Sequence, residues 1–98
     1  MSAYKTDYET VAASQTAQVL GPVGGAGDII EKLIIIPATT GAGAVALLDG
    51  STSISVFATG TLTDLTPIVI PIGARSVSGA WKITTGASVS VIAVGSFK

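Results

Sequence analysis

An antiparallel β-sandwich is the fold class this sequence predicts, and three observations predict it. Ile, Val and Thr dominate the regular stretches, and these residue types suit a pleated, half-buried surface. Glycine-rich or Asp-Gly punctuation recurs at roughly 8–12-residue spacing, the rhythm of sandwiches and barrels. Apolar residues alternate with polar ones at period two, whereas no stretch sustains a helical period. A chain of 98 residues fits one domain. The expectation is about seven strands in a single domain over residues 15–98, preceded by a short N-terminal arm over residues 1–14.

Between Tyr8 and Ala17 the alanines suit a helical turn, but Thr10, Val11 and Thr16 favour an extended chain. Gln15 to Leu20 is expected as the first strand, and the four glycines of residues 21–27 make a loose loop after it. Asp28 to Pro37 follows as a strand with Glu31 and Lys32 on opposite faces. From Leu33 to Ile36 both of its faces are apolar, which marks Ile34 and Ile36 as interface candidates. Residues 39–43 turn the chain into a strand from Ala44 to Leu48. Asp49-Gly50, a favoured type I′ pair, then leads into Ser53 to Ala58. There Ile54, Val56 and Ala58 share one face, so Phe57 stands among serines on the other and is a candidate for contact with a partner.

In Leu65 to Ile72 the set Ile68, Ile70 and Ile72 faces inward, with Pro67, Val69 and Pro71 outward. The two prolines remove N–H donors from one edge, so this strand is expected to border a sheet. Trp81 and Ile83 alternate with Lys82 and Thr84, and Thr85-Gly86 turns the chain into a last strand, Ala87 to Phe97. That strand becomes apolar on both faces from Val91 to Val94, which adds Ile92 and Val94 to the interface candidates.

Composition narrows the function. Hydrophobic residues make up 48% and charged residues 11%, with a mean hydropathy of +0.69. That is more apolar surface than one small core needs, so part of it is expected to meet another subunit. The longest apolar runs fall far short of the roughly 18–20 residues of a membrane span, and no membrane partner is expected. Met1 to Glu9 shows no basic stretch followed by an apolar segment, so no secretory signal is expected. The formal net charge is −1 and the five basic residues are scattered, which argues against a nucleic-acid partner.

Histidine and cysteine are absent, which removes the commonest general base, the usual soft metal ligands and the Ser/His and Cys/His pairs. Six carboxylates remain, too sparse to form a recognisable calcium loop. Of these Glu31, beside apolar residues, or Asp28 would serve a small hydrolase, but a solvated charge is the expected state of each. The glycines of residues 21–27 lack the Gly-Lys-Ser/Thr ending and the following helix of a phosphate loop. No catalytic residue, metal ligand or cofactor is expected. Trp81 is foremost a core residue and otherwise an interface anchor or a sugar-stacking platform. Tyr4 and Tyr8, in the arm, are further interface candidates. A carbohydrate-binding β module built on these aromatics is the competing function.

The stretch Gly27-Asp28-Ile29-Ile30-Glu31-Lys32-Leu33-Ile34-Ile35-Ile36-Pro37-Ala38-Thr39-Thr40, with Val45–Gly50 and Ser78–Ala87, resembles a group of small tailed-phage virion proteins. The resemblance covers about three quarters of the chain, from Val19 onward. It implies a jelly-roll-like sandwich that acts as a capsid decoration, or cement, protein. It further implies a homotrimer, made in the host cytoplasm, that binds the major capsid protein on the outer surface of the virion head. A tail or adaptor component carries the same pattern. The resemblance transfers no catalytic residue.

Overall fold

The computed structural model describes residues 7–21, 25–58 and 65–97. They form eight strands and no helix: β1 (Asp7–Val11), β2 (Gln18–Val19), β3 (Ile29–Pro37), β4 (Val45–Asp49), β5 (Thr52–Phe57), β6 (Ile68–Arg75), β7 (Trp81–Thr85) and β8 (Val89–Ser96). Two four-stranded antiparallel sheets result, sheet A in the order β1-β8-β3-β6 and sheet B in the order β2-β7-β4-β5. The first strand pairs with the last, the second with the seventh, the third with the sixth and the fourth with the fifth. This is the pairing of one long hairpin, bent between β4 and β5 and rolled into two layers, and it defines a jelly roll.

Period-two alternation builds the layers. β4, β7 and β8 alternate buried and half-buried residues along their whole length. Leu33, Ile35, Leu47, Ile83, Val91 and Ala93 are fully buried between the sheets. Trp81 joins them at 3% exposure, and its indole N–H donates to the Asp28 carbonyl at 2.9 Å, which satisfies the one polar atom of the ring. Trp81 is thus a core residue and offers no platform for a sugar or a partner.

Residues 7–11, expected within an arm, form strand β1 on the edge of sheet A. Val11 is the strand's one core residue, so no apolar alternation announces it. Its backbone ladder with β8 and the Glu9 carboxylate hold it: the carboxylate accepts the Gly21 N–H at 2.7 Å and the Gln18 side-chain N–H at 3.1 Å. The expected strand over Gln15 to Leu20 shrinks to β2 because Ser14 and Ala17 take positive φ. The backbone N–H groups there donate instead to β7 and the turn after it: Ser14 to the Gly86 carbonyl, Gln15 to Thr85 Oγ1 and Ala17 to Thr84 Oγ1.

Three bulges reset the alternation. β3 holds Glu31 as an extra residue against β8, since Ile30 pairs with Gly95 and Lys32 with Val94. Ile30 and Leu33 both point into the core, so Glu31 and Lys32 both lie outside it instead of dividing between the faces. β6 carries Ile72 and Gly73 opposite Glu31, with Gly73 at φ +64°, a conformation glycine adopts without strain. In β5, Val45 pairs with Phe57 and Ala46 with Ser55, which leaves Val56 as the extra residue. Phe57 is thereby turned to the side of Val45 and packs against the core; it does not stand out among serines as the unbroken alternation requires. β6 borders sheet A as its prolines require, with Ile68, Ile70 and Ile72 half-buried and Val69 and Pro71 exposed.

The β4–β5 hairpin closes through Gly50 and Ser51, because Asp49 pairs with Thr52. Positive φ occurs at Gly50 alone of these two, the pattern of a type II′ turn and not the expected type I′. Asp49 then acts across space. Its carboxylate accepts the Val77 and Ser78 N–H groups at 3.0–3.1 Å, which fastens the β6–β7 loop to the hairpin. The Val77 N–H chiefly, with those of Ser78 and Gly79, outweighs desolvation and holds the Asp49 carboxyl below its ordinary range. Because the folded-state value is the lower one, the stabilisation is complete above the unfolded-state value and is lost as pH falls through the folded-state value. Asp49→Asn is therefore expected to unfold at lower temperature than the parent at neutral pH. The difference should shrink as the solution is acidified to about pH 2, measured by thermal melts across that range.

Candidate functional site

The two outer faces of the sandwich differ in chemistry. On sheet A the register aligns Thr10, Ile92, Ile34 and Val69 in one row across four strands. The adjacent row holds Tyr8, Val94, Lys32 and Pro71, and on the other side Ile36 lies opposite Ser90. Ile34, Ile36, Ile92 and Val94 are half-buried, while Tyr8 and Val69 are 71% and 56% exposed. The half-buried side chains cover one another, as neighbours about 5 Å apart on a sheet do. Their outer ends form a continuous apolar field in which Lys32 is the one charged residue of these rows.

Sheet B presents Val19, Lys82, Leu48 and Ser53 in one row and Thr84, Ala46 and Ser55 in the next. Leu48 is flanked there by Lys82 and Ser53, so no apolar row spans the sheet. The contrast arises in β3 and β8, which lie side by side at the centre of sheet A. Each is apolar on both faces, at Leu33 to Ile36 and at Val91 to Val94, and one core covers only one face of a sheet.

Five of the eight interface candidates, Tyr8, Ile34, Ile36, Ile92 and Val94, thus come together on one face. Phe57 and Trp81 do not join them, for the reasons given above, and Tyr4 lies outside the described residues. Val69 and Pro71 complete the face. Their outward position was legible from the alternation of β6, but the pairing of β6 with β3, which carries them to Ile34 and Lys32, has no local sequence signal.

The two acidic residues weighed for hydrolysis, Asp28 and Glu31, lie just before β3 and at its bulge. Asp28 is buried, and its main-chain carbonyl accepts both the Trp81 indole N–H and the Ser76 N–H. Glu31 sits half-buried at the β3 bulge. Among the described residues no three His, Cys, Asp or Glu side chains are grouped to hold a metal ion, and no helix is long and apolar enough to cross a membrane. No protein-family model, curated protein or solved structure matches the chain.

Proposed function

We propose that the chain is a structural virion subunit of a tailed phage, of the capsid decoration or cement type. It lays the outer face of sheet A on the major capsid protein at the outer surface of the head, with three copies grouped on the lattice. The observation that carries this reading is the one-sided apolar face of sheet A, centred on Ile34 and Ile92. Contiguous exposed apolar surface on a small domain marks an interaction site. A jelly roll is an architecture that viral capsid domains use, which supports the assignment by analogy only. On a closed shell many copies act together, so each contact need contribute only moderate free energy.

A carbohydrate-binding module fits less well. Trp81 is enclosed in the core, and of the aromatics on the described surface only Tyr8 lies on the apolar face. A tail or adaptor subunit would use the same face on a different neighbour. The test is to add the purified protein to heads assembled without it and to matched tails. Co-sedimentation with heads and a higher temperature of head disruption are expected. Binding to tails alone, or heads that neither take up the protein nor gain heat resistance, would overturn the decoration reading.

A further inference from the structure

We infer that copies of this chain join in pairs through β5, edge to edge, and that this contact is separate from the apolar face of sheet A. Three of the four sheet edges carry features that oppose pairing. β1 bears the inward-turned charge of Glu9, β2 is two residues long, and β6 bears Pro71, the Gly73 bulge and Arg75. Charges, prolines, bulges and short strands are the usual protections of an exposed edge. β5 has a bulge only at its far end, at Val56, and from Thr52 to Ser55 it has none of these protections. Residues 50–63 contain no charge and no proline, Thr52 to Ser55 are exposed, and no described strand lies beyond β5 in sheet B.

The occupant that suits this edge is a second β5. Across a twofold axis an antiparallel strand sets residue n+k beside residue n−k of its copy, so an edge strand that carries charges of one sign brings them close together, and like charges in neighbouring positions destabilise a sheet. Of the four edges β5 alone is long and uncharged, and so compatible with itself. Register sets the geometry. Asp49 and Thr52 flank the two-residue turn and Leu47 pairs with Ile54, so Thr52 and Ile54 bond to β4 and the N–H and C=O groups of Ser53 and Ser55 point to the free edge. Antiparallel pairing of Ser53 with Ser55 of the second copy, and of Ser55 with its Ser53, uses all of these groups in four hydrogen bonds.

The twofold axis then passes between the two Ile54 residues. Ile54 belongs to the inner row Gln18, Ile83, Leu47, Ile54, yet it is 43% exposed whereas Leu47 and Ile83 are fully buried. Pairing covers it with its own counterpart and continues sheet B from one copy into the next. The contact is isologous and closes at two copies, whether those copies stand alone or within a larger group.

Because the chain contains no cysteine, a single introduced one reports the register. The two residues at position 54 form a pair without mutual hydrogen bonds, with Cα atoms about 4.5 Å apart, inside the roughly 4.4–6.8 Å range of disulfides. Under mild oxidant Ile54→Cys should run as a covalent dimer on a non-reducing gel, while Val69→Cys, exposed on sheet A, should stay monomeric. Ser55→Pro removes a donor from the free edge but none from the β4 ladder, so it should lower the sedimenting mass and keep the β signature. Cross-linking of Ile54→Cys no faster than that of Val69→Cys overturns the inference, as does an unchanged mass for a folded Ser55→Pro. Should Ser55→Pro unfold, the cross-linking comparison still decides.

Discussion

Gly95→Val is expected to leave the domain unfolded at room temperature, and Gly95→Ala to lower the midpoint of urea unfolding more than alanine at Gly73, the other glycine of strands β6 and β8. Gly95 occupies an inward position of β8, paired with Ile30 where β3 takes in its extra residue. The bulge brings the β3 backbone over this position. A Cβ there would collide with the Ile29 carbonyl oxygen and lie 2.8 Å from Ile30 Cα and 3.0 Å from Phe97 Cζ. Two of those atoms are backbone, so relief requires β3 and β8, the two central strands of sheet A, to separate. Overpacking a core costs about 1–3 kcal/mol when side chains give way. A backbone collision belongs to the tail above about 4 kcal/mol, close to the whole stability of a small domain, about 5–15 kcal/mol. Gly73→Ala is the comparison: its Cβ meets nothing within 4 Å, and only the left-handed backbone is penalised, at about 1–2 kcal/mol. Equal midpoints for the two alanine variants would contradict the packing described for Gly95.

That contrast shows where the sequence was legible. The two-faced apolar character of β3 and β8, the hairpin at Gly50 and the proline-marked edge β6 are local patterns, and each occupies the place its pattern required. What escaped was register. A bulge shifts side-chain parity by one residue and leaves little local trace: Val56 is an ordinary strand residue, yet it turns Phe57 from the surface to the core. Gly95 looks like a loosened strand end until Ile30 is placed across from it. β1 escaped for another reason: Tyr8 and Thr10 face out, and Glu9 is held by Gly21 and Gln18 across the fold, so Val11 is its one core residue and no apolar alternation runs along it. The same limit applies to the candidate face. Ile34 and Ile92 were identifiable one strand at a time, whereas their adjacency with Val69 and Tyr8 exists only in the sheet order.

Ile34→Asp and Ile92→Asp are each expected to weaken binding to heads at least about a hundredfold while leaving the protein folded. The two side chains lie opposite one another at the centre of sheet A, so a carboxylate at position 34 would be enclosed by Val69, Ile92 and the partner surface, and one at position 92 by Ile34, Val94 and the partner surface, once the face is covered. An uncompensated charge buried in this way costs about 3–5 kcal/mol, and every 1.4 kcal/mol or so is tenfold in affinity. In the unbound protein the same carboxylate remains half-exposed to water, and its cost is near the roughly 1 kcal/mol span of strand preferences. A gross gain on the order of 10 kcal/mol, from about 400 Å² of apolar surface at roughly 25 cal/mol per Å², is reduced by association and ordering costs, so the loss is large beside what remains. Ala46→Asp puts the same charge on the outer face of sheet B and should bind heads as the parent does. Co-sedimentation across a concentration series, with far-ultraviolet circular dichroism to verify folding, measures all three. Retained binding by Ile34→Asp and Ile92→Asp, with loss in Ala46→Asp, would transfer the contact to sheet B. In an Ile54→Cys background both sheet A variants should still cross-link, because the β5 edge and the sheet A face are different surfaces of one sandwich.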